Sequence, residues 1–100
     1  MGKEIIWSPT SLKHLEEIHQ DILDVSKSLE ASDRVVNDIL DSAEILSTQP
    51  EIYTLDKNKH NNDGSYRSYQ IRNYNVAYRV IEKNIRIIRM RFAGKDARKY

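Results

Sequence analysis

The sequence contains no cysteine among its 100 residues, and only three glycines and two prolines. The absence of cysteine excludes disulfide bonds, thiolate metal ligands and a cysteine nucleophile, and it agrees with a reducing compartment. No apolar run approaches the roughly 20 residues of a membrane-spanning helix, and the three histidines show no zinc-site spacing. We therefore predict a cytoplasmic protein without metal, cofactor or membrane partner, folded as a single domain over residues 1–100.

Charge is distributed unevenly along the chain, although the formal net charge is only +1. Residues 1–50 carry four basic and ten acidic side chains, whereas residues 51–100 carry twelve basic and five acidic ones. Residues 66–100 alone hold ten of the sixteen lysines and arginines. A basic half of this kind favours a polyanionic partner.

The first half of the chain predicts a short strand and two helices. The apolar run Glu4–Trp7 is typical of a strand, and Ser8 with Pro9 provides an N-cap and a first helical residue. Apolar residues then recur at helical spacing in two sets, with a predicted break over residues 31–33 and an end at Pro50. The first set is Leu12, Leu15, Ile18, Ile22, Val25 and Leu29. The second set is Val36, Ile39, Leu40, Ala43 and Leu46.

The second half predicts a polar loop over residues 51–64 and three strands over residues 66–72, 74–81 and 85–92. Part of the loop resembles a calcium-binding loop, but His60 and Arg67 stand where oxygen ligands are required. In the last strand, alternation predicts that Ile87, Arg89 and Arg91 share one face. The sequence thus predicts an α+β domain with an N-terminal strand, an antiparallel helical hairpin packed on an antiparallel β-meander, and a short C-terminal tail.

This order of elements, together with several residues, resembles the RelE/ParE superfamily of toxins from bacterial type II toxin–antitoxin systems. The residues that carry the resemblance are Trp7-Ser8-Pro9, Tyr66-Arg67, Tyr74-x-Val76-x-Tyr78-Arg79-Val80, Ile85-x-Ile87-x-Arg89-x-Arg91 and Tyr100. The resemblance covers nearly the whole chain, but it does not separate the branches of the superfamily. It implies a toxin neutralised by a cognate antitoxin protein. An exposed apolar strip is expected on the free toxin, covered by the antitoxin or, in its absence, by a homodimer.

The resemblance to RelE-like members implies ribosome-dependent cleavage of messenger RNA, a metal-independent endoribonuclease activity that inhibits translation, and this is the activity that we predict first. Arg67, Arg91 and Tyr100 would be the catalytic residues, and substrate-binding cations are expected at Lys95, Arg98, Arg79 and Arg89. Tyr100 would transfer the proton, provided that the cations beside it lower the pKa of its phenol. Arg67 and Tyr100 are both expected at the surface.

Two positions depart from the nuclease pattern and leave alternatives open. Asn75 stands where similar sequences commonly have arginine, and Phe92 stands where many have histidine. A phenyl ring transfers no proton, and an amide stabilises phosphorane charge less well than a guanidinium does. The resemblance to ParE-like members implies a poison of DNA gyrase instead. A third interpretation is a decayed, non-catalytic toxin whose basic face binds an acidic protein.

Overall fold

The structure is a computed structural model that describes residues 2–94 and 99–100. The first strand, β1, spans Glu4–Trp7 and leads directly into helix α1, Pro9–Ser26. The Ser8 hydroxyl accepts a hydrogen bond from the Ser11 N–H at 3.0 Å, and Pro9 occupies the first turn. This confirms the helix start that the sequence predicted, because both signals act through adjacent residues.

The break between the helices lies earlier than predicted. Helix α1 ends where Lys27 adopts a left-handed conformation with φ 57°, and helix α2 spans Leu29–Ser42. Ser28 caps α2, since its hydroxyl accepts from the Ala31 N–H at 3.1 Å. The predicted break over residues 31–33 is therefore wrong. Ser32 is instead fully buried inside α2, and its hydroxyl donates to the Ser28 carbonyl.

A 3-10 turn, Glu44–Ser47, follows α2, and the chain then returns to the sheet. Strand β2 spans Tyr66–Ile71, β3 spans Tyr74–Val80 and β4 spans Asn84–Phe92. The sheet order is β1-β4-β3-β2, with β1 parallel to β4 and the other pairs antiparallel. The predicted helical hairpin and β-meander are confirmed, and β1 makes the complete sheet mixed rather than antiparallel.

One face of the sheet packs on the helices and holds the core. Its innermost side chains are fully buried and come from both layers: Ile39, Leu46, Val76, Tyr78, Ile85 and Ile87. The register of β3 and β4 shifts between Ala77 and Tyr78, because Ala77 pairs with Arg89 whereas Tyr78 pairs with Ile87. Ile88 is the extra residue of this bulge. The prediction that Ile87 shares the face of Arg89 and Arg91 is therefore wrong.

Beyond the end of β1, the start of α1 takes over the hydrogen bonds along the β4 edge. The Ser8 N–H donates to the Ile87 carbonyl and the Ser8 hydroxyl to the Ile88 carbonyl, both at 3.0 Å. The Met90 N–H donates to Nδ1 of His14 at 3.1 Å. These bonds fix α1 against the strand that carries Arg89 and Arg91. Within residues 2–94 and 99–100, no helix is both long and apolar enough to cross a membrane.

Candidate anion-binding site on the open face of the sheet

The face of the sheet that turns away from the helices carries a row of arginines. In the β3–β4 register, Asn75 pairs with Arg91, Ala77 with Arg89, and Arg79 with Arg86. Because side chains alternate along a strand, these three pairs lie opposite Val76 and Tyr78, which face the core. We call this surface the open face. The structure thus brings together three of the predicted site residues, Arg79, Arg89 and Arg91.

A cavity of about 130 Å³ lies on the open face beside the loop that precedes β2. Its floor includes Ala77, whose small side chain is 5% exposed. Three cations and one carboxylate line it, namely Arg89, Arg91, Lys57 and Asp56, which leaves a formal excess of two positive charges. The remaining lining residues are Thr54, Leu55, Asn58, Ser68, Asn75 and Phe92.

Tyr100 lies on the same face and contacts Arg89. The Arg89 guanidinium carbon is 3.9 Å from the centroid of the Tyr100 ring, a cation–π geometry. The Tyr100 hydroxyl donates to Oδ2 of Asp56 at 2.6 Å. Its main chain is also fixed, because the Tyr100 N–H donates to the Asn58 carbonyl and the His60 N–H donates to the Tyr100 carbonyl. The last residue of the sequence is therefore part of the wall around the arginines.

The environment of Tyr100 is opposite to the one expected for a proton-transfer base. Burial raises the pKa of the Tyr100 phenol far above its usual value, and the hydrogen bond to Asp56 and the charge of that carboxylate raise it further. Arg89 opposes this shift but does not cancel it. The expectation that neighbouring cations lower the Tyr100 pKa is wrong. The phenol stays protonated at neutral pH and acts as a hydrogen-bond donor.

Arg67 does not join this group, because it lies on the other face of the sheet. It pairs with the buried Tyr78 across β2 and β3, and its Nη1 donates to the Tyr53 carbonyl at 2.6 Å. Its Nε is buried and has no hydrogen-bond partner among the residues that the structure describes. Tyr53 in turn stacks on Tyr69, with ring centroids 4.4 Å apart. Arg67 therefore anchors the segment before β2 onto the core side.

The other predicted cations have different surroundings. Arg79 donates to the Ser65 hydroxyl at 3.1 Å, lies 3.6 Å from Asp63, and covers the Tyr66 ring at 4.9 Å. It is on the open face but does not line the cavity. Lys95 and Arg98 lie outside the described residues. Burial lowers the pKa of Arg89, and the guanidinium remains charged at neutral pH.

Sequence reasoning missed Asp56 and Lys57, which line the cavity from the loop. Asp56 is only 4% exposed, and its Oδ1 accepts from the Asn58 N–H while its Oδ2 accepts from Tyr100. The sequence offered one signal, a run of Asp, Asn and Lys directly before the basic strands, which we interpreted as part of a polar loop. Over residues 2–94 and 99–100, no group of three His, Cys, Asp or Glu side chains is arranged to hold a metal ion.

Comparison with known proteins finds a matching family model and several solved structures of similar fold. The family model described as ParE toxin of type II toxin-antitoxin system, parDE, matches residues 5–96. A solved structure described as the chromosomal ParDE TA system from P. aeruginosa superposes with a TM-score of 0.72. The match covers 88% of this chain and 92% of that chain at 18% sequence identity, so the likeness shows the fold. Comparison with curated proteins finds no significant match.

Proposed function

Because the chain belongs to the ParE toxin family of type II toxin–antitoxin systems, we propose that it is a toxin that inhibits DNA gyrase. One observation favours gyrase inhibition over RNA cleavage. Arg67 and Tyr100, the two residues on which the nuclease hypothesis rests, lie on opposite faces of the sheet. A gyrase poison needs no acid–base pair of its own, because it acts on an enzyme that already cuts DNA.

Cleavage through the 2′-hydroxyl of RNA requires a base, an acid and cations around a single phosphate. Arg67 bonds the Tyr53 carbonyl on the core side, so it is not available to a phosphate near Arg91. The Tyr100 phenol is a poor base because its pKa is raised and its proton is held by Asp56. Phe92, 44% exposed beside the cavity, adds no proton-transfer group.

The test is a supercoiling assay with purified gyrase and purified toxin, read for relaxed, supercoiled and linear plasmid. We expect less supercoiling and an accumulation of linear DNA after the trapped cleavage complexes are denatured. A heat-unfolded sample of the same toxin serves as the control. Unchanged supercoiling at a toxin concentration that arrests cell growth would reject gyrase as the target.

Ribosome-dependent messenger RNA cleavage stays the second candidate. Its support is that Arg89, Arg91 and Tyr100 share the open face, where a phosphate and a hydrogen-bond donor would meet. Primer extension on messages from a translation extract tests it directly. Cuts at the ribosomal A site, lost in an Arg91→Gln variant, would favour this activity over the gyrase proposal.

We further propose that an antitoxin covers apolar side chains left exposed on the free toxin. Val25 is 87% exposed and Leu29 58% exposed, and the two flank the junction of α1 and α2. Co-expression with a small, acidic-tailed DNA-binding protein encoded beside this gene should give a complex that protects these residues from labelling. Light scattering of the free toxin tests the alternative, in which a homodimer covers Val25 and Leu29 without an antitoxin.

A further inference from the structure

The outer edge of β4 has two backbone groups that are not paired. The Ala93 N–H donates to the Asn73 carbonyl, on the side of β3. Alternation then directs the backbone groups of Met90 and Phe92 to the opposite edge. On that edge β1 has already ended, and the Met90 N–H donates to His14. The Met90 carbonyl and the Phe92 N–H have no hydrogen bond with any residue that the structure describes. An unpaired strand edge is a template for a further strand.

A groove of about 190 Å³ lies beside this edge, between β4 and α1. On the sheet side it is lined by the rings of Tyr74 and Phe92, whose centroids are 5.8 Å apart. On the helix side it is lined by Glu17 and Asp21, which are exposed and lie one turn apart on α1. Neither carboxylate makes an ion pair or a hydrogen bond with a described residue. We call this space the edge groove.

We infer that the edge groove takes an extended segment of a partner protein, which adds to the sheet at β4 and places an arginine side chain beside Glu17 and Asp21. Strand addition of this kind gains affinity from main-chain hydrogen bonds and specificity from pockets for alternate side chains. Because every second side chain of the added strand faces the same way, one of them enters the groove. A guanidinium bonds carboxylates and stacks on aromatic rings, which an ammonium does less well.

The charge of the edge groove favours a basic segment. Glu17 and Asp21 carry two negative charges, and Arg91, which also lines the groove, carries one positive charge. His14 is neutral at neutral pH, because burial lowers its pKa below the ordinary value. One negative charge is therefore in excess, and an acidic segment would be repelled. The open face and the edge groove thus attract ligands of opposite charge, although β4 contributes to both.

A second copy of this chain fits the edge less well than a foreign segment does. Two copies that paired through Met90 and Phe92 about a two-fold axis would bring their Arg91 side chains together on the same face of the joined sheet. Like charges across neighbouring strands are destabilising. The occupant that the charges favour is therefore a basic strand from another protein.

The experiment titrates ¹⁵N-labelled toxin with synthetic five-residue peptides and follows the backbone amide signals by NMR. The first peptide alternates threonine and valine around a central arginine, and the second has glutamate in place of the arginine. The third is the arginine peptide with N-methylated backbone amides. We expect the first to shift the Phe92 amide signal at about 1–10 mM, because so short a strand binds weakly. The second should bind at least about fivefold more weakly, and the third should leave the signal unchanged.

A double variant tests the carboxylates. Glu17→Gln with Asp21→Asn should weaken binding of the arginine peptide about threefold to tenfold, the range of two exposed ion pairs. Glu16→Gln with Asp24→Asn is the matched control, because it removes the same charge from exposed positions of α1 outside the groove. This control should change the affinity by less than about twofold. Equal losses in the two double variants would mean diffuse attraction and would overturn the site.

The peptides themselves can also overturn the inference. Three results would do so: an unchanged Phe92 signal with the arginine peptide at about 10 mM, equal binding of the glutamate peptide, or a shift of the Phe92 signal by the N-methylated peptide. The measurement uses the toxin alone, so its outcome is independent of the proposed action on gyrase.

Discussion

Replacing Arg67 by methionine separates a structural role from a functional one. Methionine keeps much of the length of the side chain but removes its charge and all its donors. The substitution deletes the 2.6 Å bond from Nη1 to the Tyr53 carbonyl, and a bond that involves a charged group contributes about 1.5–3 kcal/mol. It also removes the buried Nε that has no described partner, which returns up to about 1 kcal/mol. The free energy of unfolding should therefore fall by about 0.5–3 kcal/mol.

The assay is urea unfolding followed by circular dichroism, with a thermal scan beside it. For a domain of this size, each kcal/mol corresponds to roughly 4–8 °C in the melting temperature. Arg86→Met is the control, because this exposed arginine should change stability by less than about 0.5 kcal/mol.

The toxicity of the Arg67→Met variant tests whether Arg67 has a functional role. We expect Arg67→Met to remain toxic at temperatures well below its melting point, because its guanidinium lies on the core side of the sheet. A variant with wild-type stability and no toxicity would refute this reasoning, and it would restore Arg67 to the functional site.

Three further predictions concern the core and the α1 contact. Ile87→Ala should cost about 2–5 kcal/mol in chemical unfolding, because Ile87 is fully buried. Ile88→Ala, at the bulge, should cost clearly less, and equal costs would contradict the register shift. Tyr78→Phe should cost about 1–3 kcal/mol, because it leaves the Pro50 carbonyl without its 2.8 Å hydrogen bond, and an unchanged urea midpoint would argue against that bond. Burial lowers the pKa of His14 below its ordinary 6.5, so the unfolded chain binds the proton more readily. The free energy of unfolding should thus fall as the pH drops below about 6.5, and a His14→Gln variant with the same pH profile would refute this assignment.

The sequence predicted the elements well where their signals are local. Ser8 and Pro9 define the start of α1 through contacts of a few residues, and the structure follows them. The break between the helices was misplaced because Ser28 and Ser32 are both competent caps, and only packing decides between them. Ser32 is buried against the hairpin, so the chain caps at Ser28.

The faces of the strands were harder to predict, for two physical reasons. The bulge at Ile88 reverses the alternation within β4, and its trace in the sequence is the pair Ile87-Ile88, which interrupts the alternation of isoleucine and arginine and which we did not interpret as an inserted residue. Arg67 was assigned by resemblance, although alternation with Tyr69, two residues later and 8% exposed, would have placed it on the core side. The contact of Tyr100 with Asp56 joins residues 44 positions apart, and no periodicity can predict such a pair.

Helices shield only one side of this sheet, and that asymmetry affects how such a domain can change over evolutionary time. Exposed residues on the other side, such as Arg86, can be exchanged with little effect on packing. Residues on the shielded side are constrained by their neighbours, as Tyr78 and Arg67 are. Substitutions on one surface can therefore change what the domain binds while the fold stays intact. Toxins with unrelated targets can descend from a single ancestor in this way.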